Sequence, residues 1–271
     1  MESTKDRDNR NNYGSTAQKG VVVFLDALGT KTVWSRNEPS KYIKAWENVI
    51  RSIKENAKVY DEETKDDADF GDLNIIAFSD TIILSLSHNL NKVKENPDLF
   101  RSNLLISAIL LYPLYKAIVE EGIYLRGVIS YGEFYVKKSM IIGPAVEEAA
   151  EWHEKPEWFG VSTTPSATYG IEFLREKGDL SDAVLNESFI GYPVPMKNDL
   201  PLKSYAVLWP TKSIFSKIRE EEKTITKELF KDSKIKLLES FSSSGLIGVS
   251  SGLKYKNTLD FFDHVAETFS K

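Results

Sequence analysis

Two aspartates stand among residues that resist a buried charge. Asp26 lies in Val21-Val22-Val23-Phe24-Leu25-Asp26-Ala27-Leu28-Gly29-Thr30, and Asp80 in Ile75-Ile76-Ala77-Phe78-Ser79-Asp80-Thr81-Ile82-Ile83-Leu84. A carboxylate set in such a run is costly to bury unless something compensates its charge. Two of them, on segments able to pair in one sheet, point to a hard divalent cation such as Mg²⁺ or Mn²⁺. The competing reading of each is turn chemistry, because Asp is favoured both before Gly29 and at a hairpin tip.

Composition narrows the alternatives. The 271 residues, 41% hydrophobic, suffice for one large domain with a full core. Net charge is −5 and no long basic run appears, so binding nucleic acid through its phosphates is not the expected task. The absence of cysteine excludes disulfides and Cys-based zinc sites. His88, His153 and His264 are scattered, which argues against a histidine metal site. No apolar run is expected to reach the ~18 residues of a membrane span. The polar stretch 1–19 lacks the apolar centre of a signal peptide and reads as a mobile tail. The expectation is a cytoplasmic chain without membrane attachment.

The elements that must position the aspartates follow from periodicity. Gly20 to Leu28 is β-branched and apolar throughout, as a buried strand is. After Glu38-Pro39-Ser40, the spacing of Ile43, Trp46, Val49, Ile50, Ile53 and Ala57 predicts an amphipathic helix. Leu73–Phe78 and Thr81–Leu86 are strand-like, and only Ser79-Asp80 separates them, which predicts a tight hairpin with Asp80 at its tip. Residues 91–121 read as mostly helical with a kink at Pro113. Two short strands, Tyr124–Ser130 and Glu133–Val136, flank Tyr131-Gly132; a helix starts at Gly143-Pro144; Phe159–Ser162 is a further strand. Residues 179–204 read as loop, Tyr205–Pro210 as a strand, and Ser213–Leu238 and Asn257–Phe269 as helices separated by Ser/Gly punctuation. The order predicts an α+β, ferredoxin-like (split βαβ) core with a mainly antiparallel sheet. Its expected bounds are 20–165, with 166–271 a mainly helical extension packed on it.

These segments resemble the class III nucleotidyl cyclases. Phe24-Leu25-Asp26-Ala27-Leu28-Gly29 is similar to their first metal-binding strand, and Asp80 to their second metal aspartate. The run from Leu125-Arg126-Gly127 to Gly132-Glu133 resembles the central strand, and Gly143-Pro144-Ala145-Val146-Glu147-Glu148-Ala149-Ala150 the helix after it. The nearest branch is the pyrimidine cyclases of Pycsar antiphage defence. The resemblance implies two Mn²⁺ or Mg²⁺ ions held by Asp26, Asp80 and the carbonyl of Ala27. It implies phosphate contacts from the amides of Leu28, Gly29, Thr30 and Lys31, and a homodimer with its active sites at the interface. It implies cyclisation of UTP or CTP to the 3′,5′-cyclic monophosphate, which a separate effector protein then reads.

Two departures sharpen these expectations. Ile76 stands where purine-specific relatives carry a base-reading lysine, leaving Asn74, Ser79, Trp34 and Tyr42 as candidates for a pyrimidine pocket. Glu147 and Glu151 stand where the relatives carry an Asn and an Arg that stabilise the transition state, and a carboxylate cannot do that work alone. Arg126, Lys31, Lys137 and Lys138 are the nearby cations in sequence, Arg126 being the catalytic candidate. The alternatives are an adenylate or guanylate cyclase with an atypical base pocket, a catalytically silent nucleotide-binding homologue, and a palm-type nucleotidyltransferase.

Overall fold

The computed structural model describes residues 18–28, 39–63, 72–89, 97–137, 140–197, 201–211, 227–243 and 249–270. In chain order the elements are β1 (Gln18–Leu28), α1 (Pro39–Glu63), β2 (Asp72–Phe78), β3 (Thr81–Asn89), α2 (Pro97–Leu110) and α3 (Leu114–Val119). There follow β4 (Tyr124–Lys137), β5 (Met140–Ile142), α4 (Pro144–Trp152), β6 (Gly160–Thr163), α5 (Pro165–Lys177) and α6 (Asp182–Leu185). The last are β7 (Phe189–Val194), β8 (Leu202–Val207), α7 (Lys227–Ser243) and α8 (Val249–Phe269).

One sheet carries all eight strands. Its order is β2-β3-β1-β4-β6-β8-β7, with β5 paired to β4. Among the described residues only the β4–β6 pair is parallel. This is the mixed α+β class with a mainly antiparallel sheet that the sequence predicts.

The alternation of β1 explains its central place. Val21, Val23, Leu25 and Ala27 point into the main core, where α1, α2 and α5 cover the sheet. Val22 and Phe24 point to the opposite face, against α4. Buried on both faces, the strand reads as an unbroken apolar run. Val21, Val22, Val23 and Leu25 are fully buried, and each such side chain contributes about 1.5–3 kcal/mol of burial free energy. Asp26 belongs to the α4 face by the same alternation. At its end of the sheet β4 must approach β1 closely. A Cβ on Gly127 would lie 2.4 Å from the Phe24 carbonyl oxygen and 2.7 Å from Leu25 Cδ2.

Several elements differ from expectation. The two strands predicted on either side of Tyr131-Gly132 are one strand, because Gly132 pairs with Gly20 of β1 and the ladder runs through. The stretch 179–204, read as loop, contains β7. Its Pro193 is tolerated because β7 is the outermost strand of the sheet. The strand β5 and the helix α5 add to the predicted order. Ser250-Ser251-Gly252, read as punctuation, lies inside α8. Pro113 separates α2 from α3 rather than kinking one helix. The Asp98–Val119 segment proves long and apolar enough to cross a membrane by length and composition, contrary to the sequence reading. In the fold 61% of its most apolar stretch is buried inside the molecule. Of the predicted tail, Gln18 and Lys19 belong to β1, and 1–17 lie outside the described residues.

The C-terminal helices close the other side of the core. Trp158 and Trp209 are fully buried among Tyr192, Phe261 and Phe262. Trp158 is thus a core residue. The loop between α4 and β6 is held from two sides. Arg126 donates from Nη1 to the carbonyls of Glu154 (3.1 Å) and Pro156 (3.5 Å). From α8, Asn257 Nδ2 donates to the Glu157 carbonyl at 2.7 Å, and Thr258 Oγ1 accepts from the Phe159 amide at 2.8 Å.

Candidate functional site

The register of three strands brings the distant acids together. Asp26, near the end of β1, is opposite Thr81 on β3 and Arg126 on β4. Thr81 follows Asp80 directly, so the hairpin tip and the end of β1 share one edge of the sheet. The Ala27 amide donates to the Asp80 carbonyl oxygen at 2.8 Å, which locks the tip onto β1. Ser79, the first residue of the two-residue turn, has φ 56° and is the one non-glycine residue at positive φ among the described residues. A tight hairpin turn asks for a positive φ that glycine normally supplies. Holding Ser79 there costs about 1 kcal/mol or more, a kind of strain that clusters at functional sites.

Burial and neighbouring charge act together on Asp26. Burial is the main cause that raises the Asp26 pKa above its usual value, and the charge of Asp80 raises it further. Arg126 opposes this by charge and by a hydrogen bond from Nη2 to Asp26 Oδ2 at 3.1 Å, and His153 opposes it by charge. The net shift of Asp26 remains upward because the cost of burial outweighs the help of these two cations. Tyr42, near the start of α1, faces the same place. Burial first, then the charges of Asp80 and Asp26, push its phenol up to about 12. Its hydroxyl is buried and has no partner among the described residues. An orphaned buried hydroxyl beside two repelling carboxylates is an arrangement that a cation with its bound water would satisfy.

Arg126 is 3% exposed, and the Asp26 side chain 17%. Its Nη1 and Nη2 are engaged by two loop carbonyls and Asp26, and Nε has no partner among the described residues. The catalytic candidate is therefore buried, with its guanidinium hydrogen-bonded to Asp26 and to the loop after α4.

The other candidates scatter. Leu28 ends β1 beside the aspartate pair, whereas Gly29, Thr30, Lys31, Trp34 and Lys138 lie outside the described residues. Ser79 is at the hairpin tip. Asn74 pairs with Ser85 and shares the sheet face of Asp26, but it lies four residues down β2 from Phe78, about 13 Å at ~3.3 Å per residue. Lys137 is at the far end of β4, eleven residues from Arg126, about 36 Å by the same rise. Glu147 and Glu151 are exposed on α4. The acid between them, Glu148, accepts from the Ser166 amide at 3.0 Å and from its hydroxyl, tying α4 to α5.

One residue was passed over in the sequence. His153 ends α4, its ring 4.5 Å from that of Phe24, which stands two residues before Asp26 on the same face. Its signal was available only in combination: a histidine closing a helix that a Gly-Pro start had already placed.

No family model matches this chain. No curated protein matches its sequence. Among solved structures it is similar to the catalytic core of a rhodopsin-guanylyl cyclase with converted specificity in complex with ATPαS, at 13% identity and TM-score 0.45, over 71% of this chain and 95% of that one. A dimeric guanylyl cyclase domain of the RhoGC fusion protein from the aquatic fungus Blastocladiella emersonii gives 12% identity and TM-score 0.45, over 71% and 96%. A bacterial light-regulated adenylyl cyclase gives 15% and 0.41, over 72% and 91%. These likenesses are distant, and the chemistry of the site stands on its own geometry.

Proposed function

We propose that this chain is a metal-dependent nucleotide cyclase acting on a pyrimidine triphosphate, UTP or CTP, to give the 3′,5′-cyclic monophosphate and pyrophosphate. The observation that carries the reading is the convergence of Asp26 and Asp80 on one sheet edge, with the Asp26 carboxyl held in a buried setting that raises its pKa despite Arg126. Asp26, Asp80 and the Ala27 carbonyl fit Mn²⁺ or Mg²⁺, two per site. Hard cations of this kind take one or two carboxylates and complete their shell from water and substrate phosphates. Among the described residues no group of three or more His, Asp or Glu side chains could hold an ion without substrate. When bound, such ions supply Lewis acidity for the α-phosphate and charge neutralisation for the departing pyrophosphate.

The chain's own residues do the rest. Arg126 fixes the Asp26 carboxylate. Leu28 ends β1 beside the aspartates, and the resemblance assigns the triphosphate contacts to the amides from Leu28 to Lys31, of which all but the first lie outside the described residues. Asn74, Ile76 and Phe78 share the sheet surface leading to the tip, where an apolar residue, Ile76, stands in place of a purine-reading lysine, and Ser79 is at the tip itself. A second copy of the chain completes the site: Phe24, Ile83, Val136 and Trp152 are only partly buried on the α4 face, and Phe78, Met140 and Ile142 are exposed. The resemblance extends the reading to a cytoplasmic antiphage signal sensed by a separate effector.

The test is direct. Purified protein is incubated with each of the four triphosphates and Mn²⁺, and cyclic monophosphate and pyrophosphate are measured. Formation of cUMP or cCMP supports the reading, and a purine product identifies an adenylate or guanylate cyclase with an atypical pocket. Exposed Glu147 and Glu151, with Arg126 engaged elsewhere, favour a second reading, a silent nucleotide-binding homologue. Binding by calorimetry without product establishes that one. Asp26→Ala and Asp80→Ala are expected to abolish turnover while retaining a cooperative thermal transition.

A further inference from the structure

Cyclisation requires the ribose 3′ hydroxyl to lose a proton, and the residues assigned so far supply no acceptor. Asp26 and Asp80 are given to the cation. Arg126 is a permanent cation. Tyr42 keeps its proton at neutral pH. We propose that His153 Nε2 is the general base that accepts this proton, an inference that rests on the cyclase reading above.

Three observations converge on it. First, place: the His153 ring packs against Phe24, on the face of β1 that carries Asp26, and its charge is felt at Asp26. Second, tautomer: Nδ1 lies 2.7 Å from the Ala150 carbonyl oxygen. A carbonyl only accepts, so Nδ1 carries the hydrogen, and the neutral ring presents Nε2 as a bare lone pair. Third, fixation: the His153 amide donates to the Ala149 carbonyl at 2.9 Å, and the side chain is 15% exposed, so the residue is anchored at the helix end with its ring still open to solvent. The largely exposed carboxylate of Glu154 lies 4.0 Å from Nε2. It is close enough to steady an imidazolium and too far to occupy Nε2 as a hydrogen-bond partner.

The step balances. The O3′–H bond breaks and its proton passes to Nε2. The oxygen's electron pair forms the O3′–Pα bond. The Pα–O bond to the β-phosphate breaks, and pyrophosphate leaves with that pair. The imidazolium then returns its proton to solvent.

His153→Asn tests this without disturbing the helix end, because the Asn amide can still donate to the Ala150 carbonyl while nothing replaces Nε2. With the full chain, Mn²⁺ and the accepted triphosphate, kcat is expected to fall about 10²–10⁴-fold with KM little changed. In His153→Gly, added imidazoles are expected to restore turnover, faster as the imidazole becomes more basic. An Asn variant with wild-type kcat overturns the assignment. So does a loss of rate that no imidazole rescues, which makes His153 a positioning residue. A wild-type protein inactive on all four triphosphates removes the cyclase reading and this inference with it, whereas an active wild type with an equally active Asn variant removes the inference alone.

Discussion

Arg126→Met isolates the interaction on which the geometry of Asp26 depends. Methionine keeps much of the buried length and removes the charge with its hydrogen bonds to Asp26, Glu154 and Pro156. Removing one partner of a buried pair costs about 3–5 kcal/mol, because the other is left uncompensated. Asp26 retains some access to water, so the lower end, about 3 kcal/mol, is the expected loss. An unfolding entropy of about 2.1 cal/mol/K per residue over 271 residues makes that a fall in Tm of about 5 °C. The loss should depend on pH. The folded-state pKa of Asp26 is already raised by burial and by Asp80, and without Arg126 it rises further. A group with a raised folded pKa stabilises the fold fully below its unfolded value and loses that contribution as pH rises through the folded one. The deficit of the variant is therefore smaller near pH 4 than near pH 8, where the unpaired carboxylate must ionise. Urea melts at both pH values measure it, and Asp26→Asn in the same background should recover the pH-dependent part. A deficit below about 1 kcal/mol, or one equal at both pH values, refutes the buried pair as the support of Asp26.

Other expectations follow from the same site. With the accepted triphosphate present, saturating Mn²⁺ should raise Tm further at neutral pH, by the equivalent of about 2.7 kcal/mol at one hundred times its Kd. The shift should vanish in Asp26→Asn and in Asp80→Asn, as differential scanning fluorimetry would show. Tyr42→Phe removes a buried hydroxyl that has no partner among the described residues. It should leave stability unchanged or higher by up to about 1 kcal/mol, while a loss above that in a denaturant melt would reveal an unseen partner. Gly127→Ala drives a methyl group into the Phe24 carbonyl and should cost about 1–3 kcal/mol in a denaturant melt, lowering turnover by displacing Arg126 from Asp26.

The sheet that carries the aspartates was readable because its signals are local. A two-residue gap between β-branched runs leaves little choice but a hairpin, and an unbroken apolar run leaves little choice but a central strand. The region after Thr163 was harder. Gly191 and Pro193 lower the strand signal of β7, which its place at the edge of the sheet permits. The helix α5 carried cues that went unread, Pro165 at its start and Gly178 in the left-handed conformation at its end. Within the site, Asp26 and Asp80 were legible from the conflict between their charge and their neighbours. The burial of Arg126 and the position of His153 were not, because both depend on the fold of residues 153–159, which no periodicity encodes.

The loop that Arg126 grips is gripped as well by Asn257 and Thr258, about a hundred residues later in the chain. The C-terminal helix thus bears mechanically on the first carboxylate through a single intermediary. Whatever loosens that helix, a truncation or a ligand pulling on its outer surface, slackens the tether and is transmitted to chemistry at the opposite end of the polypeptide.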